Sequence, residues 1–148
     1  MKLVVGADHG GYRAKERLVR ALMAAGHHVT DVGTIDESSV DYPDFAVRVG
    51  RAVAGKKADR GVLLCGTGIG MAIAANKIRG VRAAVVWNKK TAALAAEHND
   101  ANVLCLGARI LSSSSIVALV KAWLAAPFGG DRHVRRINKI RALERGNR

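Results

Sequence analysis

The chain is poor in aromatic residues, at 4%, which leaves few stacking platforms for single-stranded nucleic acid. It has two cysteines, Cys65 and Cys105, each on an apolar run and neither in a CxxC pair. That pattern is neither a disulfide framework nor a zinc signature, and it predicts two reduced, buried thiols in a soluble cytoplasmic protein. No apolar run approaches the roughly 20 residues of a membrane helix. The longest, Val117 to Ala126, is broken by Lys121. The stretch from Met1 to Gly6 is too short and too soon polar to read as a signal peptide. Acids are scarce too: 12 Asp+Glu stand against 24 Lys+Arg, a net charge of +12. This balance favours an anionic partner, whether nucleic acid, a membrane surface or a small substrate. Nucleotide-binding fingerprints are also missing. A GxGxxG begun at Gly66 would need its third glycine at Met71, and one begun at Gly68 would need it at Ile73; no Lys-Ser/Thr pair follows to make a P-loop. Nicotinamide and ATP chemistry are therefore disfavoured.

What is present is a steady alternation of apolar runs and amphipathic stretches. At 148 residues and 49% hydrophobic, the chain can bury a substantial core as a single domain over 1–148. Strands are predicted at Lys2–Gly6, His28–Val32, Gly61–Cys65, Arg82–Trp87 and Val103–Leu106. Helices are predicted over 11–25, from Pro43 onward, and at Met71–Ile78, Thr91–Glu97, 113–125 and about 132–145. Ala14, Leu18, Leu22 and Ala25 fall on one face of the first helix, and Phe45, Val49 and Val53 on one face of the second. Val134, Ile137, Ile140 and Leu143 form a packing stripe on the last. Short apolar strands alternating with helices imply an α/β fold. The expected form is a three-layer, Rossmann-like, doubly wound parallel sheet of five strands, with helices on both faces and a basic C-terminal helix. Such sheets bind ligands beyond the C-terminal ends of their strands.

The loops at those ends carry the residues of interest. Cys65-Gly66-Thr67-Gly68-Ile69-Gly70 follows a buried strand and opens a helix. Its glycines let the backbone approach a ligand, and its N–H groups form a cradle for a phosphate or a developing oxyanion. It also reads as a tight strand–helix turn. Cys65, just before that helix, suits a nucleophile or general base, or else an inert strand-end thiol. Cys105 lacks any cradle and is assigned the inert role. Asp8-His9-Gly10-Gly11 follows the first strand; Asp8 suits a sugar hydroxyl, an imidazole or the cap of the next helix. His98-Asn99-Asp100 offers a proton-transfer group, or a histidine on its own helix dipole. His27 and His28 are adjacent on a strand, face opposite ways and form no metal pair. Arg132 and Arg136 share a helix face and can clamp a phosphate. Arg135, Lys139, Arg141, Arg145 and Arg148 add positive charge.

Taken in order, these segments resemble the ribose-5-phosphate isomerase B and galactose-6-phosphate isomerase family. The similarity runs from Lys2 to about Arg145. It rests on Gly6-Ala7-Asp8-His9, Asp41-Tyr42-Pro43, Cys65 to Gly70, Ala74-Ala75-Asn76-Lys77, His98-Asn99-Asp100 with Asn102-Val103-Leu104, and Arg132-His133 with Arg136. The resemblance implies aldose–ketose isomerisation of a sugar phosphate without metal or organic cofactor. It implies Cys65 as the general base at C2, Gly66, Gly68, Ile69 and Gly70 as the anion hole, and Thr67 as a proton-moving hydroxyl. His98 matches the ring-opening acid/base; Asp8, His9, Asn99 and Arg109 match substrate-binding positions; Arg132 and Arg136 match the phosphate clamp. One branch of the family uses a glutamate where this chain has Met71, so the chain sides with the cysteine branch. Family members are dimers or dimers of dimers with sites across the interface. Every motif stands in this one chain, which favours a homo-oligomer. Ribose 5-phosphate is the expected substrate, with allose 6-phosphate, galactose 6-phosphate and tetrulose phosphates fitting the same chemistry. A nucleic-acid-binding protein, or a non-catalytic sugar-phosphate sensor, leaves Cys65, Thr67 and His98 without a purpose.

Overall fold

Five apolar runs separated by glycine and polar loops become, in the computed structural model, five strands of one parallel sheet. The structure describes residues 1–146; Arg148 lies outside them. The order along the chain is β1 (Lys2–Ala7), α1 (Tyr12–Ala24), β2 (His28–Asp31), α2 (Tyr42–Ala54), β3 (Arg60–Cys65), α3 (Ile69–Ala75), β4 (Ala83–Val85), α4 (Lys89–Glu97), β5 (Val103–Gly107), α5 (Ser113–Ala125) and α6 (Arg132–Gly146). Across the sheet the order is β2-β1-β3-β5-β4. The chain therefore reverses direction between β1 and β3, and β5 later inserts between β3 and the edge strand β4. The first reversal is a switch point of the kind where open α/β sheets bind ligands.

The pleat sends alternate residues to two cores. Leu3, Val5, Val62, Leu64, Leu104 and Leu106 meet α1, α4 and α5. Val4, Leu63, Cys65, Val103 and Cys105 meet α2 and α3. This double burial explains why the central strands are apolar throughout. The edge strand β2 differs, and its His28, Thr30 and Asp31 are exposed. Trp123 lies wholly inside the first core, where its Nε1 donates to the Ala101 carbonyl at 3.2 Å and the Arg60 guanidinium sits 4.9 Å from its ring. Trp87, just beyond β4, is half exposed.

Three sequence expectations need correction. Ala25 does not join the buried face of α1; the helix ends at Ala24, and Gly26 at φ +86° turns the chain away. Lys15 is buried there, alongside Ala14, Leu18 and Leu22. The helix after the glycine loop starts at Ile69, not Met71, because the cradle itself supplies the first turn. On α6 only His133 and Ile137 are buried, while Val134, Ile140 and Leu143 remain exposed. Of the stripe, only Ile137 is covered among the described residues. Ile140, Leu143 and Glu144 instead border a groove of about 340 Å³ against Val81, Arg82, Ala84 and Ala101.

Helices run opposite to the strands they connect, so each loop has a defined end. Loops leaving strands gather at the C-terminal edge; loops leaving helices gather at the N-terminal edge. α6 starts at the N-terminal edge, where Gly129 N–H donates to the Glu97 carbonyl at 2.8 Å.

Gly11 starts α1 directly on β3. A Cβ there would lie 2.6 Å from the Leu64 carbonyl oxygen and 2.8 Å from its carbon. Backbone cannot yield as a side chain can, so Gly11→Ala is expected to cost about 3 kcal/mol and lower Tm by roughly 10 °C. Gly26→Ala, whose Cβ meets nothing within 4 Å, should lose only about 1 kcal/mol through its left-handed φ. Thermal melts of the two variants test the contact; equal losses would remove it as the cause.

Candidate active site

The residues singled out in the sequence divide into two groups. At the C-terminal edge are Asp8, His9, Cys65 through Gly70, and Arg109. Cys65 ends β3, nearly buried, and its Sγ accepts the Gly68 N–H at 3.0 Å. Gly68 has φ +82°, and its added Cβ would lie 3.0 Å from the Leu106 backbone. Gly107 faces it, with an added Cβ 2.8 Å from the Thr67 backbone. Two glycines thus let the cradle lie flat on the end of β5. Thr67 Oγ1 accepts the Ile69 N–H at 3.2 Å. The N–H groups of Gly66 and Thr67 meet no protein acceptor among the described residues. They remain available to an anion.

Asp8 is buried, and its Oδ1 takes the N–H groups of Gly10 at 2.9 Å and Gly11 at 3.2 Å. Asp8 thus closes the turn before α1 and does not cap the helix, whose N-cap is Gly11 without a side-chain bond; Oδ2 takes no part in that turn. His9 Nδ1 accepts the Val40 N–H at 3.2 Å, so a neutral His9 carries its proton on Nε2. Arg109 lies across both glycine turns: Cβ atoms added to Gly66 and Gly10 would come within 3.2 Å of its Nη1 and 3.5 Å of its Cζ. Tyr42 was missed as a site residue. Its ring covers Gly70, whose Cβ would fall 2.7 Å from the ring's Cζ. The signal is Asp41-Tyr42-Pro43, which the sequence offers as part of the family resemblance with no role given to Tyr42. Cys105 points into the same core as Cys65, and burial, followed by the proximity of Cys65, pushes its thiol far above the usual range. That accords with its inert assignment.

His98, Asn99, Arg132 and Arg136 sit at the other edge. A strand the length of β5 puts roughly 15 Å between its ends, so His98 cannot reach Cys65 of its own chain. His98 caps α4 and stacks on His133, with ring centroids 4.4 Å apart and planes 16° from parallel. Its Nε2 is 3.8 Å from Glu97 Oε1. The turn behind it is held by Arg82, which donates to the Asn99 carbonyl at 3.2 Å, the Asp100 carbonyl at 2.7 Å and Asp100 Oδ2 at 2.7 Å. Asp100 itself has φ +45°. Burial lowers the His133 pKa, and His98, Arg132 and Arg136 lower it further against an opposing pull from Glu97.

The comparisons fit this geometry. The family described as Ribose/Galactose Isomerase matches residues 3–140. The chain belongs to that family. It is 43% identical to ribose-5-phosphate isomerase B of Escherichia coli strain K12 over 143 residues, covering 97% of this chain and 96% of that protein. Among solved structures, Clostridium thermocellum ribose-5-phosphate isomerase B superposes with a TM-score of 0.98 at 45% identity, each chain covered completely. Mycoplasma genitalium ribose-5-phosphate isomerase B with bound ribulose-5-phosphate superposes with a TM-score of 0.94 at 42% identity, covering 97% of this chain and 96% of that one.

A depressed His133 pKa has a defined sign. As pH falls through the ordinary value of 6.5, the unfolded chain binds this proton before the folded one does, so stability declines. His133→Phe keeps a ring against His98 without that proton. It is expected to flatten the fall in urea midpoint between pH 7.5 and pH 5; an unchanged fall would assign the pH dependence elsewhere.

Proposed function

We propose that the protein interconverts ribose 5-phosphate and ribulose 5-phosphate through an enediolate, acting over 1–148 as one catalytic domain. The observation that carries this reading is Cys65, set at a strand end with its sulfur accepting the Gly68 N–H of a glycine cradle. Isomerisation requires a base at C2 and a place for negative charge. The Cys65 thiolate takes the C2 proton, and the C–H electrons form the C1–C2 double bond of the enediolate. The same proton returns to C1, while the O2 proton moves to O1, leaving the ketone at C2. Thr67 is the hydroxyl best placed to shuttle that oxygen proton. Donors from Gly66 to Gly70 stabilise the enediolate oxygen, often the largest catalytic contribution; a positioned base adds about 10²–10⁴-fold. Base and donors both come from the chain, so the reading needs no metal.

The remaining roles require a second copy. His98 opens the sugar ring, Asn99 binds it, and Arg132 and Arg136 clamp the phosphate, yet all four stand at the edge opposite Cys65. An isologous homodimer joins one copy's C-terminal edge to the other's N-terminal edge, twice. Exposed Ile69 and Ile73 on α3, and Ile140 and Leu143 on α6, supply apolar surface for such a contact. Asp8, His9 and Arg109 then hold the sugar from the Cys65 side. Both thiols are free and buried, which suits the reducing cytoplasm.

The first test is ribulose 5-phosphate formation by purified protein in EDTA, with allose 6-phosphate and galactose 6-phosphate alongside. Turnover of the pentose is expected; turnover of a hexose phosphate alone would change the substrate and keep the chemistry. Cys65→Ala is expected to lose at least about 10³-fold in kcat while still binding substrate, and Arg136→Ala mainly to raise KM. A mixture of Cys65→Ala and His98→Ala chains, each inactive alone, should recover about a quarter of wild-type activity after subunit exchange, since each mixed dimer rebuilds one intact site. No recovery would place base and histidine in one chain.

A further inference from the structure

We infer that Lys15 is a positioning residue for His9, acting through the loop between β2 and α2. This rests on the proposal that His9 contacts substrate. Lys15 is 2% exposed on the inner face of α1. Its Nζ bonds Asp31 Oδ2 at 2.5 Å and lies 3.3 Å from Glu16 Oε1 and 5.4 Å from the Tyr12 ring centroid. Buried lysines are rare unless paired, and neither the proposed chemistry nor the packing of α1 calls for one at this position.

The pair serves the start of the loop. Asp31 Oδ1 accepts the Gly33 N–H at 2.9 Å, so one carboxylate joins the lysine to the loop backbone. Gly33 lies directly on the lysine stem: its Cβ would fall 2.6 Å from Lys15 Cδ and 2.7 Å from Ala7 N. Thr34 N–H then donates to the Ala7 carbonyl at 2.9 Å, one residue before Asp8. The far end of the loop returns to the site, where Val40 N–H donates to His9 Nδ1 and Tyr42 covers Gly70. Between these ends the hold is light. Ser38 N–H bonds Asp36 Oδ1, and Thr34 Oγ1 reaches the Asp36 carbonyl. The one ion pair there, Arg13–Glu37, is 81% and 54% exposed, and such pairs contribute little. The pair of buried Lys15 with Asp31, whose side chain is 31% exposed, is thus the root of the loop.

Its effect falls on a proton. While Val40 N–H occupies Nδ1, neutral His9 holds its hydrogen on Nε2 and presents a donor, not an acceptor, on its free side. Val40 also packs half-buried on the second core; releasing the root loosens its N–H from Nδ1, and His9 then exchanges between tautomers.

Lys15→Met keeps the stem under Gly33 and removes the charge. If that chain fails to fold, Lys15→Met/Asp31→Asn removes both charges and leaves none unpaired. Two-bond ¹H–¹⁵N spectra of the imidazoles should show His9 as a single Nε2–H tautomer in the wild type and an average of both in the variant. In kinetics, kcat/KM should fall about tenfold, mainly through KM, but less than about twofold when His9→Ala is already present, as expected of coupled residues. A merely structural lysine would cost the same in both backgrounds. An unchanged His9 tautomer, or an equal loss with and without His9, overturns the inference. If the wild type does not turn over ribose 5-phosphate, the function proposal fails by itself, and the tautomer measurement still decides this one.

Discussion

At the C-terminal ends of β3 and β5, two loops rest backbone on backbone. Gly68 meets Leu106, and Gly107 meets Thr67, at distances that leave no room for side chains. The candidate site inherits its form from that contact. The cradle is pressed flat, so Gly66 and Thr67 present free N–H groups. Gly68 in its left-handed conformation turns its own N–H onto Cys65. On the neighbouring strand, Gly11 brings the start of α1 down on Leu64, which carries Asp8 and His9 alongside. A side chain at Gly68 or Gly107 would separate Cys65 from the cradle N–H groups.

Much of this was legible in the sequence, because local patterns dictated it. The central strands are apolar on both faces, and alternation with helices led to the parallel sheet. The helix predicted over 113–125 matches α5 at both ends, since Ser112 caps its start and Pro127 follows its end. The cradle stood out because glycine spacing is a local demand of the backbone. Long-range relations were not legible. Nothing in the order of residues tells that His98 and Cys65 occupy opposite edges; that follows from the direction of α4 and the insertion of β5 beside β3. Tyr42 stands just before the helix predicted from Pro43, with no site role, until the fold lays its ring on Gly70. Lys15 carries no signal in the sequence that it is buried; the partner that pairs it, Asp31, comes from the next strand. The α6 stripe was seen correctly as apolar, but its periodicity says nothing of whether the cover belongs to the same molecule.

The charge distribution gains meaning from the same geometry. Residues 132–146 carry six Lys+Arg against one Glu, a net +5 of the chain's +12, and include Arg132 and Arg136. Concentrated at one edge of the sheet, it creates a field that draws anions toward the proposed phosphate position. The stacked His98–His133 pair stands in that field, and His133 loses affinity for a proton partly because of it. A basic helix that suggested nucleic acid from composition alone thus suits a far smaller anion.

The two tryptophans occupy opposite environments. Trp123 is sealed in the core with its indole N–H bonded, and Trp87 stands half in solvent just beyond β4, at the edge that carries Cys65. Their fluorescence is therefore separable by colour and by quencher. Trp123 is expected to emit in the blue, shielded from iodide, with a signal that follows the integrity of the core. Trp87 is expected to emit further to the red, open to collision, and to follow events at the edge that carries Cys65. The chain thus carries two optical probes of its own, one for folding and one for whatever approaches that edge, with no label attached.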